Sequence, residues 1–168
     1  MKEIKLTQGK VALVDDEDYE HLSRFKWYAS RAKNNFYATR RGRPGLGEKR
    51  TTIFMHRIII GTPENLDTDH EDGNTLNNQR YNLRSCTRAE NDHNRRGYKA
   101  NVSGYKGVTR SRRLHNPWRA TIKFKNKTTP LGNYKTKEEA ALAYNEKASE
   151  LFGKFAYLNK IRIIYSAK

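Results

Sequence analysis

The stretch that decides the fold is Asp67-Thr68-Asp69-His70-Glu71-Asp72-Gly73-Asn74-Thr75-Leu76-Asn77-Asn78-Gln79-Arg80-Tyr81-Asn82-Leu83-Arg84-Ser85-Cys86-Thr87-Arg88-Ala89-Glu90-Asn91-Asp92-His93-Asn94. It is the densest run of carboxylates, amides and imidazoles in the chain. Asp72-Gly73-Asn74 is a turn signal, because Gly and Asn tolerate left-handed backbone and Asp bonds to the amides that follow it. Thr87-Arg88-Ala89-Glu90 has the form of a capping box and opens a short helix to about Asn94. In an extended segment adjacent side chains point to opposite faces, so Asp69 and His70 can address different partners at one place. The Asp69 carboxylate and the Asn91 amide oxygen, delivered from the capped helix, are hard oxygen donors of the kind that Mg²⁺ or Mn²⁺ prefers. His70, with an ordinary pKa of ~6.5, can take a proton from water near neutral pH. The bland alternative is that Asp69, Asp72, Gly73 and Asn74 form only a turn.

The spacing argues against the bland alternative. Asn82 and Asn91 follow His70 by 12 and 21 residues, with Asp-Gly-Asn and Asn-Leu-Arg between. Over residues 55–94 this array resembles the HNH nuclease motif, in the variant that begins with Asp-His. The resemblance implies a ββα-metal fold, Asp69 and Asn91 as metal ligands, His70 as general base, and Asn82 as a structural residue tying the intervening loop. Arg95 stands where His-rich members carry a further ligand, which leaves a third protein ligand unassigned. His56, in Met55-His56-Arg57, matches a His-Arg pair that similar proteins carry about a dozen residues before Asp-His. It is read as positioning His70 or the scissile phosphate, or else as a buried imidazole bonded to backbone. Arg57 and Arg84 are read as phosphate contacts or as partners of nearby acids. His93 either supplements the metal site or faces solvent; His21 and His115 carry no motif.

Outward from this segment, the charge speaks first. The 168 residues carry 34 Lys+Arg against 18 Asp+Glu, a formal net charge of +16. Such a balance points to a polyanion partner. No apolar run approaches the roughly 18 residues that a membrane span needs, and Met1-Lys2-Glu3 lacks the apolar start of a secretory signal. The expected setting is therefore the cytoplasm of a bacterial or phage-infected cell. Cys86 is the only cysteine, which excludes an internal disulfide and zinc sites built on cysteine pairs. At 35% hydrophobic residues any core is small, and no small-molecule substrate is expected. The 11% of aromatic residues implies folded sheet instead of a disordered basic tail.

Charge is uneven. Residues 97–135 hold ten Lys/Arg and no acid. Within them, Gly107–Ser111, Trp118–Phe124 and Thr128–Tyr134 read as strands, and the capping box Thr136-Lys137-Glu138-Glu139 opens a helix to about Phe152, stopped by Gly153. Trp118, Ala120, Ile122 and Phe124 alternate with Arg119, Thr121, Lys123 and Lys125, so one strand face packs while the other presents charge. Tyr105-Lys106-Gly107-Val108, Trp118-Arg119-Ala120-Thr121-Ile122, Leu131-Gly132-Asn133-Tyr134, Glu139-Ala140-Ala141, Ala143-Tyr144 and Leu158-Asn159 resemble the DNA-binding domain of plant ethylene-response factors. That resemblance implies a three-stranded sheet packed on one helix and docked in the major groove of double-stranded DNA. Arg110, Arg112, Arg113, Arg119, Thr121, Lys123 and Lys125 are the candidate DNA contacts, since Arg pairs bidentately with guanine; the alternative is a solvated basic face or phosphate contact alone. Thr109 and Pro130 depart from the plant pattern, so the base sequence read does not carry over.

Leu6-Thr7-Gln8-Gly9-Lys10, Val14-Asp15-Asp16-Glu17-Asp18, Trp27-Tyr28-Ala29 and Tyr37-Ala38-Thr39-Arg40 are similar to segments that precede the HNH motif in phage and intron-encoded nucleases. They read as a small β-rich unit: strands at Lys10–Val14, Trp27–Ala29, Phe36–Arg41 and Thr51–Met55, with a loop at Arg43–Gly47 and a helical turn at Met55–Ile60. Arg31, Lys33, Arg40, Arg41, Arg43, Lys49 and Arg50 are candidates to grip DNA. The acidic knot at Asp15–Glu20 reads as a helix start.

The expected architecture is α+β: a β-rich N-terminal unit (1–54), a ββα-metal nuclease core (55–96), a linker (97–103), a C-terminal sheet-and-helix module (104–159) and a tail (160–168). The expected function is a site-specific, metal-dependent DNA endonuclease of homing or phage type, monomeric by default. Its rivals are a non-catalytic DNA-binding regulator on the same scaffold and a structured-RNA binder.

Overall fold

The computed structural model describes residues 1–42, 51–95, 97 and 101–161. The loop expected at 43–47, the basic candidates Arg43, Lys49 and Arg50, residues 98–100 of the expected linker and nearly all of the tail lie outside the described residues. The chain forms two compact units, Met1–Asn91 and Asp92–Lys168, and the architecture is a mixture of small antiparallel sheets and few helices. No helix among the described residues is long and apolar enough to cross a membrane.

In the first unit, β1 (Lys2–Lys5) pairs antiparallel with β2 (Val11–Val14). The acidic knot then starts α1 (Asp16–Ser23), whose first turn carries Asp16, Glu17 and Asp18 against the positive end of the helix. A three-stranded sheet follows in the order β3 (Tyr28–Ala32), β4 (Asn35–Arg41), β5 (Thr52–Phe54). One turn of helix, α2 (Met55–Ile60), leaves β5 and stops where Gly61 takes the left-handed conformation at φ 59°. The hairpin β6 (Asp67–His70) and β7 (Leu83–Cys86) and the helix α3 (Arg88–Asn94) complete the order. The Thr87 capping box is formed: Glu90 N donates to Thr87 Oγ1 at 3.3 Å, and Thr87 N donates to Glu90 Oε2 at 2.7 Å.

One apolar cluster runs from Ile4, Ala12, Val14, Leu22 and Trp27 to Met55, Ile59 and Leu83. Residues on both sides of position 54 therefore share a single core. Trp27 is its largest fully buried side chain, and its indole N–H, which burial would otherwise orphan, donates to Leu22 O at 2.8 Å.

In the second unit, β8 (Val108–Arg110), β9 (Trp118–Phe124) and β10 (Lys127–Tyr134) form an antiparallel sheet in the order β10-β9-β8. The helix α4 (Lys137–Phe152) is opened by the Thr136–Glu139 capping box. It lays Ala140, Ala141, Tyr144 and Ala148 on Val108, Ala120 and Ile122. Pro130 stands on edge strand β10 beside a bulge before Gly132, where a missing N–H costs the sheet least. Asn159 closes the module: its Oδ1 accepts from Lys106 N at 2.7 Å and its Nδ2 donates to Lys106 O at 3.0 Å.

Gly107 lies at φ 77°, and a methyl there would overlap the Tyr144 ring. Gly107→Ala combines strained backbone with overpacking and is expected to destabilise the full chain by about 2–4 kcal/mol in urea unfolding, against less than about 0.5 kcal/mol for an exposed control such as Lys135→Ala.

Candidate active site

β6 and β7 pair Asp69 with Arg84 and His70 with Leu83. Arg84 donates to Asp69 Oδ2 from Nε at 2.8 Å and stands 2.7 Å from it through Nη2; it lies 3.5 Å from Glu71 as well. Both the Asp69 and Arg84 side chains are largely buried, at 6% and 13% exposure. Of the two sequence readings for Arg84, the observed contacts are those of a structural partner to acids.

α3 returns to the same hairpin. Asn91 Nδ2 donates to Asp67 Oδ2 at 3.3 Å, and Arg88 Nη1 donates to it at 3.0 Å. Desolvation pushes the Asp67 carboxyl up, but the hydrogen bonds from Arg88 and Asn91 and the nearby Arg88 and Arg57 charges outweigh it, and the net shift is downward. Asp67 was not singled out from sequence. The available signal was its place two residues before Asp69, which on a strand puts it on the same face.

His70 is buried, and its Nε2 lies 3.2 Å from Asn78 Oδ1. Desolvation lowers its pKa, against the Asn78 hydrogen bond and the Asp69 and Asp72 charges. Asn78, wholly buried, is the second residue that sequence reasoning passed over. Asn82 is also buried and uses both ends of its amide within the loop: Oδ1 accepts from Asp72 N at 2.9 Å and Nδ2 donates to Asn77 O at 2.8 Å.

His56 comes up under His70 from α2. Its ring stands perpendicular to the His70 ring at 5.1 Å and stacks on Phe54 at 5.3 Å. It is buried, with Nδ1 lacking any hydrogen-bond partner among the described residues. Desolvation first, then the His70 and Arg57 charges, push its pKa down to about 3. Arg57 donates to the carbonyls of Leu66 (2.9 Å), Thr62 (3.2 Å) and Pro63 (2.8 Å), so its guanidinium organises the loop that leads into β6.

The donor set tests what ion this place suits. Among the described residues no three His, Cys, Asp or Glu side chains converge as a ready-made metal cage. Asp69, whose Oδ2 is bonded to Arg84, offers a carboxylate, and Asn91, whose N–H₂ end is turned to Asp67, offers an amide oxygen, an oxygen-only pair of donor types. That fits Mg²⁺ or Mn²⁺, which keep waters and take phosphate oxygens. The His93 ring stacks on Phe152 at 4.0 Å.

In the second unit, Arg119, Thr121 and Lys123 occupy the face of β9 opposite the buried Ala120 and Ile122, with Arg119 and Lys123 exposed. The register alters two expectations. Thr109, not Arg110, stands opposite Arg119, whereas Arg110 pairs with Trp118 and shares the parity of Val108. Lys125, at φ 45°, belongs to the hairpin turn with Asn126 and not to the strand face. Arg112 and Arg113 are exposed in the loop between β8 and β9. In the first unit, Arg40 lies 4.2 Å over the Phe25 ring and 5.9 Å from Trp27 and its Nε is buried, the environment of a packing residue.

No family model matches the chain. It is 33% identical over 159 residues, covering 92% of its length and 77% of the relative, to the uncharacterized HNH endonuclease L560 of Acanthamoeba polyphaga mimivirus. It is 35% identical over 94 residues, 56% of its length and 76% of the relative, to Protein 3.8 of Escherichia phage T7.

His56 gives the site a stability signature. Its folded pKa of about 3 lies below the unfolded value of ~6.5, so the unfolded chain binds more protons between these limits. Its contribution is present in full above about pH 6.5 and is lost as pH falls toward 3, by up to about 1.4 kcal/mol per pH unit. His56→Phe, which keeps the ring on Phe54, should flatten the acid limb of stability against pH by about one proton; equal slopes in the two proteins would contradict a neutral buried His56.

Proposed function

The chain belongs to the HNH endonuclease family, and on that premise we propose that it hydrolyses phosphodiester bonds of double-stranded DNA at chosen sites. Its products would be 3′-hydroxyl and 5′-phosphate ends, and its type homing or phage-borne. The observation that carries this reading is the meeting of two elements: Asp69 and His70 end β6, and α3 reaches the same strand through the Asn91–Asp67 hydrogen bond.

In this reading Asp69 and Asn91 hold a single Mg²⁺ or Mn²⁺, which when bound stabilises charge developing on the phosphate and the leaving 3′ oxygen. His70 accepts the proton of the attacking water at its imidazole. Asp67 accepts from the Asn91 N–H₂ and so fixes which way the amide oxygen points. Asn82 keeps the loop after His70 closed, so that base and ligands stay in one geometry. The basic face of the C-terminal sheet, through Arg119, Thr121 and Lys123 with Arg112 and Arg113 at its rim, grips the duplex. Its three-stranded sheet on one helix is the arrangement that the likeness to ethylene-response factors implies.

His70→Ala should lower single-turnover cleavage of plasmid DNA in Mg²⁺ by about 10²–10⁴-fold while DNA affinity stays within about twofold; near wild-type cleavage would remove the assignment. Asp69→Ala and Asn91→Ala should raise the Mg²⁺ needed for half-maximal rate, and an unchanged titration in both would place the ion elsewhere. Binding should fall steeply with salt, each phosphate contact adding about −0.9 to the slope of log K against log salt. Replacing Arg112, Arg113, Arg119 and Lys123 together by Ala should flatten that slope by about 3 or more. An unaltered slope would move the DNA face off the C-terminal sheet.

A further inference from the structure

The Asn78 amide is held in one orientation by the backbone around it. The loop that bears it is stitched to β2: Leu13 N donates to Leu76 O at 2.9 Å and Asn78 N donates to Leu13 O at 2.8 Å. The side chain, with no exposure to solvent, donates from Nδ2 to Leu76 O at 3.3 Å. A flipped amide would set its oxygen against that carbonyl oxygen, two acceptors facing each other with no proton between them. Oδ1 is therefore the end that meets His70 Nε2, at 3.2 Å. An amide oxygen only accepts, so Nε2 must carry the proton. In the neutral ring the lone pair then resides on Nδ1.

We infer that Asn78 is a positioning residue for the reaction, fixing the His70 tautomer with the proton on Nε2 so that Nδ1 is the atom that accepts the proton of the attacking water. The inference rests on the assignment of His70 as general base in the proposed function and goes beyond it in naming the atom and the group that selects it. The balance is simple. The O–H bond of water breaks, its proton moves to Nδ1, its oxygen lone pair forms the new bond to phosphorus, and the 3′ oxygen leaves with the electrons of the broken P–O bond. Asn78 forms no bond to substrate. Its contribution is the tautomer and ring orientation that a buried imidazole takes from the hydrogen bond at its other nitrogen. Through Leu13 the same contact makes an N-terminal strand part of the catalytic geometry.

The test uses the full chain labelled with ¹⁵N-histidine. In the wild type, nitrogen–proton correlation should assign the His70 resonances, identified by their absence in His70→Ala, to a ring protonated on Nε2 in the neutral form. A dominant Nδ1-protonated form would overturn the inference with no variant needed. Asn78→Leu keeps the shape but removes the acceptor. It should populate both tautomers and lower kcat on the order of 10²-fold with KM for DNA unchanged. Wild-type tautomer and kcat in the Leu variant would show that Asn78 serves packing alone. Cleavage that survives His70→Ala would instead remove the general-base assignment itself, whatever the tautomer.

Discussion

Everything at the site depends on how an irregular loop, buried at Asn77, Asn78 and Asn82, satisfies its own backbone. The segment between His70 and Leu83 has little regular structure to absorb its amides beyond one 3-10 turn at Arg80–Asn82 and a single parallel bridge from Asn77 to Leu13, and unpaired polar groups there would cost a few kcal/mol each. Asn82 closes it from within, bonding to both Asp72 N and Asn77 O, while its own carbonyl accepts from Glu71 N at 2.9 Å. Residues far back in the chain close it from outside. Asp15 accepts from Gln79 Nε2 and Arg80 N at 2.9 and 2.8 Å, Asp18 holds the Arg80 guanidinium, and Thr75 Oγ1 donates to Phe36 O at 2.6 Å. The acidic knot is thus more than a helix start: it is the clamp on the loop. Losing it would loosen His70 and Asp69 without touching either.

What was legible in the sequence was local. Both capping boxes, the Gly153 stop and the alternation along Trp118–Phe124 are set by neighbours within about four residues, so pattern alone finds them. The strand β1 escaped because four residues with only Ile4 buried show too little alternation to be read. The site residues Asp69, His70, Asn82 and Asn91 were legible as a spacing, but their hydrogen-bond partners were not. Arg84 faces Asp69, and Thr109 faces Arg119, only because of strand register, and a one-residue slip would exchange the faces. Asn78 was invisible for a related reason: its role depends on the carbonyls of Leu13 and Leu76, which no side-chain pattern announces.

Register and burial also correct what net charge alone implies about the nucleic-acid surface. In the first unit much of the basic charge is already spent on the protein. Arg57 binds three backbone carbonyls, Arg80 pairs with Asp18 and Glu17, Arg84 with Asp69 and Arg88 with Asp67, and Arg40 lies over Phe25. The Arg57, Arg80 and Arg84 guanidinium groups each spend several donors in this way. The second unit differs because residues 97–135 contain no acid at all. Among the described residues, Arg110, Arg112, Arg113, Arg119 and Lys123 enter no ion pair with a carboxylate. Their charges repel one another with no compensation from within their own stretch, a cost to the folded state that a polyanion relieves on binding. The excess of +16 is therefore a poor guide to the first unit and a good one to the second: the same residue types hold the β6–β7 hairpin together in one and stand without a carboxylate partner in the basic stretch of the other.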